Sequence, residues 1–278
     1  MDEAVVMADI SASSTWHLWA EVVRSQVRVV GALVRREMRA HFGESRIGYL
    51  WAIIEPILHL ASFVVILIML LRRHAPMGNN STLFVMTAVL PYFLYAKLAN
   101  YVGGSVEANR ALFNLPPVKP LDVVLARTIL ETATYLVVGF LLVVALVLGG
   151  VSEAVPAHPL QLAAAISVVV MFGMGFGMIN VVIRVFIANW LTVFSLITSP
   201  LYLLSGIWWL PEQVPQPFRD YLLYNPLMHF VMWARVGFYR DYNPEYLDRP
   251  YAVAWALGAF VVGLALLRLG RRKVLEPT

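Results

Sequence analysis

Glu55, His59 and Ser62 recur at helical spacing inside an apolar stretch, with Trp51 beside them. A carboxyl and an imidazole one turn apart can pass a proton between them, which suits an intramembrane transferase acting on lipid-linked sugars. The same face also suits a gating or coupling role, or a glutamate that caps or pairs locally near a membrane boundary. Pro56 beside it is tolerated in membrane helices as a kink. A second polar face carries Phe93, Lys97, Asn100 and Gly104. Ionisable groups inside a membrane span are costly and therefore functional suspects. Lys97 either snorkels to the headgroups or faces a watery path that attracts an anionic substrate, and Asn100 favours the path by extending the face.

Other polar positions read more structurally. Arg127 and Glu131 stand four apart and are expected to pair. Gly173, Gly175 and Gly177 allow close helix approach. Ser195, Ser199 and Tyr202 form a hydroxyl stripe beside Pro200, able to bond a neighbouring helix or a sugar. Trp208 and Trp209 fit an aromatic belt at a membrane surface, and as flat apolar faces with a polar handle they also suit sugar rings.

Several chemistries lack their residues. A phosphate-binding loop needs Gly-x-x-x-x-Gly-Lys-Ser/Thr, but none of Lys97, Lys119 and Lys273 follows a glycine. There is no Gly-x-Ser-x-Gly elbow and no His-Glu-x-x-His pair. Scattered histidines and zero cysteines leave no metal site or disulfide to expect. The chain itself is expected to bind no cofactor and to catalyse nothing.

The elements that must position these residues are membrane helices. Of 278 residues 60% are hydrophobic and 14% charged, against roughly 25% charged in soluble domains. Six apolar runs are long enough to address a hydrocarbon layer about 30 Å thick: 49–71, 83–104, 123–149, 160–183, 190–210 and 251–267. Met1-Asp2-Glu3 lacks the basic start of a secretory signal, so insertion is expected to rely on the spans. The fold class is thus an all-α integral membrane protein with six transmembrane helices. Its parts are a cytoplasmic N-terminal region 1–48, a membrane domain 49–270 with a cytosolic loop 105–122 and a periplasmic segment 211–250, and a tail 271–278.

Net charge is +4, and the position of the cations indicates orientation rather than nucleic-acid binding. Arg24, Arg28, Arg35, Arg36, Arg39, Arg46, Arg110, Lys119, Arg184, Arg271, Arg272 and Lys273 share one side. The other side has Arg72 and Arg73, then Arg219, Arg235, Arg240 and Arg249 diluted by Glu212, Asp220, Asp241, Glu245 and Asp248. Both termini are therefore expected in the cytoplasm. Before the first span, Trp16, Trp19, Val23, Val27, Val30 and Val34 fall within about 60° on a helix, flanked by arginines, which predicts an interfacial amphipathic helix. The alternative is a buried helix of a small cytosolic domain. Within 211–250, prolines and Asn225-Pro226 divide two short helices that are expected to re-enter the membrane beside protein.

Four stretches together resemble the membrane permease subunits of type-2 ABC exporters, in particular those exporting capsular polysaccharide from Gram-negative bacteria. They are Arg35-Arg36-Glu37 with Ser45 to Trp51 and Glu55-Pro56; Glu107 to Asn114 with Val118 to Asp122; Ser199-Pro200 through Gly206 and Pro211; and Asn225-Pro226-Leu227. The resemblance implies a homodimer in the inner membrane, bound to two copies of a separate subunit that carries ATP and Mg. It implies coupling to that subunit through Arg35, Arg36, Glu37, Arg46, Glu107, Asn109, Arg110 and Lys119. It also implies a lipid-linked acidic polysaccharide as cargo and periplasmic or outer-membrane export components as further partners. The candidate path residues are then Lys97, Phe93, Asn100, Glu55, His59, Trp208, Trp209 and Tyr202.

Overall fold

The computed structural model describes residues 21, 23–40, 46–66, 75–114 and 118–275, with side chains from Ile54 onward in the second of these long stretches. All regular structure among them is helical. Helix α1 covers 23–40; α2 is Arg46–Val65, α3 Ser81–Ala108, α4 Pro120–Leu148, α5 Pro159–Phe186, α6 Trp190–Leu203, α7 Phe218–Leu223, α8 Pro226–Phe238, α9 Arg249–Leu269 and α10 Arg271–Leu275.

The starts of these helices follow local chemistry. Side-chain oxygens of Asn80, Asn225 and Asp248 accept from the backbone N–H groups of Leu83, Leu227 and Tyr251, at 3.0, 3.1 and 2.8 Å. Each satisfies an N–H that the first turn leaves unpaired. Prolines open α4, α5 and α8, where a missing N–H costs nothing.

Four of the described helices, α3, α4, α5 and α9, are long and apolar enough to cross a membrane. Helices α3 and α5 are buried over most of their apolar windows, whereas α4 and α9 are mostly uncovered, so α3 and α5 form the centre. The glycines of α5 set the spacing. A Cβ on Gly175 would stand 2.5 Å from the Ala259 carbonyl carbon, and one on Gly177 2.5 Å from the Val102 Cβ. Gly263 of α9 returns the contact, with its own Cβ position 2.5 Å from the Gly175 carbonyl oxygen. The expected packing role of this glycine row is what the structure shows. Outward faces keep large apolar side chains such as Phe140, Leu148, Leu196, Val261 and Leu269, as a lipid-facing or partner-facing surface requires.

The other two expected spans are shorter. Apolar helix in the first is described over Ile54–Val65, and the fifth ends at Leu203. The run predicted to continue to Leu210 leaves the helix because Gly206 takes a positive φ of 72°, favourable only for glycine. The turn is then held from outside, where the Asn225 side chain donates to the Leu204 carbonyl and the Ser205 hydroxyl, both at 3.2 Å. Trp208 and Trp209 consequently sit on irregular backbone rather than on a span.

Two further expectations change. The Val23–Val34 stripe divides: Val23 and Val27 are exposed, whereas Val30 and Val34 pack with Leu33 on Val123 and Ala126 of α4. Trp16, Trp19, Trp51 and Arg72-Arg73 lie outside the residues, or the side chains, described. The two helices expected within 211–250 exist, but α8 is buried along its length from Leu227 to Phe238. Arg235, counted from sequence among the loop cations, is fully buried.

Candidate functional site

Helices α2 and α3 bring together residues that sequence spacing placed on separate faces. The Lys97 ammonium lies 2.6 Å from a Glu55 carboxylate oxygen, with the two side chains 23% and 42% exposed. The pair is therefore part-exposed rather than sealed in the core. Tyr101, one turn along α3, places its hydroxyl 3.4 Å from the same ammonium.

From Tyr101 the polar contacts continue toward the base of the bundle. The Arg127 guanidinium stacks over the Tyr101 ring at 4.7 Å. It also meets Glu131 at 3.2 Å and Glu37 of α1 at 3.0 Å. The Glu37–Arg127 contact is nearly dry, with side chains 8% and 9% exposed. The second Glu37 oxygen accepts from the Asn109 amide at 2.5 Å, the amide oxygen of Asn109 accepts from Arg36, and Gln26 donates to Asp122. Helix α1 is thus tied to α3 and α4 by buried polar groups that are each other's partners, as burial of charge demands.

On the other side of the Lys97–Glu55 pair lies an aromatic cluster. The His59 ring meets Phe93 edge-on at 4.8 Å, and Phe63 reaches Tyr202 and Trp208, both at 5.1 Å. Tyr92 and Tyr202 stand 4.8 Å apart. These offset and edge-to-face arrangements each add about 0.5–1.5 kcal/mol beyond area burial. They join α2 to α3, to Tyr202 of α6 and to the turn after α6.

Of the expected path residues, Lys97 and Glu55 form the ion pair, and Phe93, His59, Tyr202 and Trp208 form the rings. Asn100 turns instead to α6, accepting from the Ser195 hydroxyl at 3.0 Å while its amide donates to the Ala96 carbonyl at 2.9 Å. Trp209 is half-buried and takes no part in the ring cluster. Sequence reasoning missed Phe63, Tyr92 and Tyr101. Tyr101 sits four after Lys97 and was legible at i,i+4 spacing; the other two become visible only once the helices are paired.

Of the expected coupling residues, Arg36, Glu37 and Asn109 share one knot. Glu107 pairs with Arg184 of α5 at 2.8 Å, and Arg110 lines the same groove. Arg35 and Lys119 are exposed on the surface, and the Arg46 side chain lies outside those described. The Arg127–Glu131 pair forms as expected, but Glu37 is a partner the sequence spacing could not supply.

The family model described as ABC-2 type transporter matches residues 28–239, from within α1 through α8. The polysialic acid transport protein KpsM of Escherichia coli is 34% identical over 86% of this chain and 92% of its own length. The capsule polysaccharide export inner-membrane protein CtrC of Neisseria meningitidis serogroup A is 29% identical over 87% of this chain and 91% of its own. The capsule polysaccharide export inner-membrane protein BexB of Haemophilus influenzae is 28% identical over 91% and 94%.

Proposed function

The chain belongs to the ABC-2 type transporter family, and from that premise we propose that it is the inner-membrane permease of an ATP-driven exporter of capsular polysaccharide. It is a transport subunit, with nucleotide hydrolysis in a separate subunit. The observation that carries the mechanism is the polar chain from Glu37 through Arg127 and Tyr101 to Lys97 and Glu55. It runs from a helix at the base of the bundle to a partly open ion pair among apolar helices.

In this reading α1 and the 105–122 segment receive the ATPase through Arg35, Arg36, Arg46, Glu107, Arg110 and Lys119. Movement of α1 acts on Arg127 through the buried Glu37. Arg127 stacks on Tyr101, whose hydroxyl contacts Lys97, so displacement there shifts the balance between Lys97–Glu55 and Lys97–substrate. An acidic, lipid-linked glycan supplies competing anions for Lys97, and the rings of Phe93, Tyr202 and Trp208 offer flat faces for sugar.

The chain acts as a homodimer with two ATPase copies that hold ATP and Mg, and it passes cargo to periplasmic and outer-membrane components. Helices α2 and α6 complete six membrane-crossing segments, with both termini in the cytoplasm. Glu55 is engaged by Lys97 and the His59 ring packs on Phe93, which disfavours these two as an acid–base pair of a transferase.

Co-purification with the ATPase subunit from membranes tests the coupling map. Reversing Lys119 and Arg110 to glutamate is expected to lower recovery of the ATPase at least tenfold, with this chain still present in the membrane. Recovery and export at wild-type levels in the double variant would overturn it.

A further inference from the structure

At the end of the bundle remote from α10, the loops before α3 and after α4, α6 and α8 line a half-open cavity of about 860 Å³. Tyr239, Tyr242, Glu153, Glu212, Arg240 and Asp241 are among its lining residues. Its polar groups are unevenly satisfied. Glu153 accepts from the Asn79 amide and backbone N–H at 3.0 and 3.2 Å. The hydroxyls of Tyr239 and Tyr242, by contrast, are buried without a hydrogen-bond partner among the described residues, and Tyr239 as a whole is only 8% exposed. Such groups are costly when left unmet.

Beside this wall lies Arg235, 0% exposed. Its guanidinium stacks 4.1 Å above the Phe84 ring, and Nη2 donates to the Ile207 carbonyl at 3.3 Å. Among the described residues, Nε and Nη1 have no hydrogen-bond partner, and no carboxylate pairs with the guanidinium. The charged or ionisable groups that act on it are Tyr242, Tyr239 and Glu212. A buried cation with no directly paired carboxylate is a strong electrostatic demand for an anion. Burial pushes both tyrosine hydroxyls up from their ordinary range, so they remain donors at neutral pH.

We infer that this cavity binds an acidic sugar unit, its carboxylate accepting from Tyr239 and Tyr242 with Arg235 supplying positive charge behind them. The rim carboxylates Glu212 and Asp241 accept from sugar hydroxyls, and their own charge selects a monoanionic carboxylate over a phosphate dianion. The site is separate from the Lys97–Glu55 region and lies at the opposite end from the α1 knot.

The choice of sugar rests on the exporter reading, so binding is measured apart from export, on the detergent-solubilised chain without ATPase or nucleotide. Saturation-transfer NMR titrations would compare glucuronic acid, glucose and glucose 6-phosphate. Glucuronic acid is expected to bind at least tenfold tighter than either of the others. Tyr239→Phe combined with Tyr242→Phe, which removes only hydroxyls, is expected to weaken it at least tenfold at an unchanged melting temperature. Equal affinity for glucose, tighter binding of the phosphate ester, or full affinity in the double variant would each overturn the inference. A chain that exports but does not bind sinks this site alone, whereas one that binds but exports no glycan sinks the exporter reading alone.

Discussion

Helices α6 and α8 are close in length, 14 and 13 residues, yet they stand at opposite extremes of packing. Helix α8 buries everything from Leu227 to Phe238, whereas α6 buries only Phe194 and Thr198. The same contrast separates the glycine-seamed centre of α3, α5 and α9 from the edge formed by α2 and α6, which attaches through rings and hydrogen bonds. A close-packed centre resists graded deformation, while contacts worth a kcal/mol or so each can rearrange. The proposed mechanism follows that difference, taking the centre as the frame and the α2–α6 edge with its ion pair as the element that moves.

If that division is right, disruption should cost most at the buried joints. Glu37→Ala leaves Arg127 buried with Glu131 as its remaining carboxylate, at a cost of up to about 3–5 kcal/mol, the value for a buried charge left wholly unpaired. The variant is expected to lose its folded population in detergent, read by thermal unfolding; a midpoint like wild type would make the α1 joint incidental. Gly175→Ala is expected to cost about 1–3 kcal/mol, because the methyl meets backbone rather than a yielding side chain. Gly258→Ala, where nothing lies within 4 Å, is the matched control and should leave the midpoint unchanged.

Smaller again is a pH effect at the end of α8. His229 donates from Nε2 to the Leu223 carbonyl at 2.9 Å, and its Nδ1 accepts from the Asp248 N–H at 3.2 Å, which is a neutral ring used at both nitrogens. Burial holds its pKa below the ordinary histidine range despite the hydrogen bond to Leu223 and the nearby Asp248 carboxylate. A depressed histidine pKa contributes fully above about 6.5, and the contribution is lost as pH falls, because the unfolded chain takes the proton first. The unfolding midpoint should therefore drop between pH 7 and 5, and His229→Asn should flatten that drop. Lys97→Met should change stability least, by at most about 1 kcal/mol, since partly exposed pairs contribute little. Its effect belongs to export rather than to folding.

Much of the frame was legible in the sequence. Apolar run length marked α3, α4, α5 and α9, and the glycine row of α5 declared a close seam. The edge was less legible, because an apolar window cannot see that Gly206 turns the chain while Ile207 to Leu210 continue the hydropathy. At the site, Glu55 and Lys97 each stood out as misplaced charges, but one-dimensional spacing says nothing of which helix lies beside which. The burial of Arg235 was hidden for a related reason. Its segment read as one of two short helices within 211–250, and only α3 and α5 closing over it turn a loop arginine into a core one.

The central claim is that the Lys97–Glu55 pair is the switching contact of the transport path. It is tested most directly by reversing the pair in cells that contain the ATPase subunit and quantifying surface polysaccharide. Lys97→Glu and Glu55→Lys should each cut export at least tenfold with normal amounts of assembled complex, and the double reversal should restore a substantial part of it. Export at wild-type levels in both single variants would contradict the account.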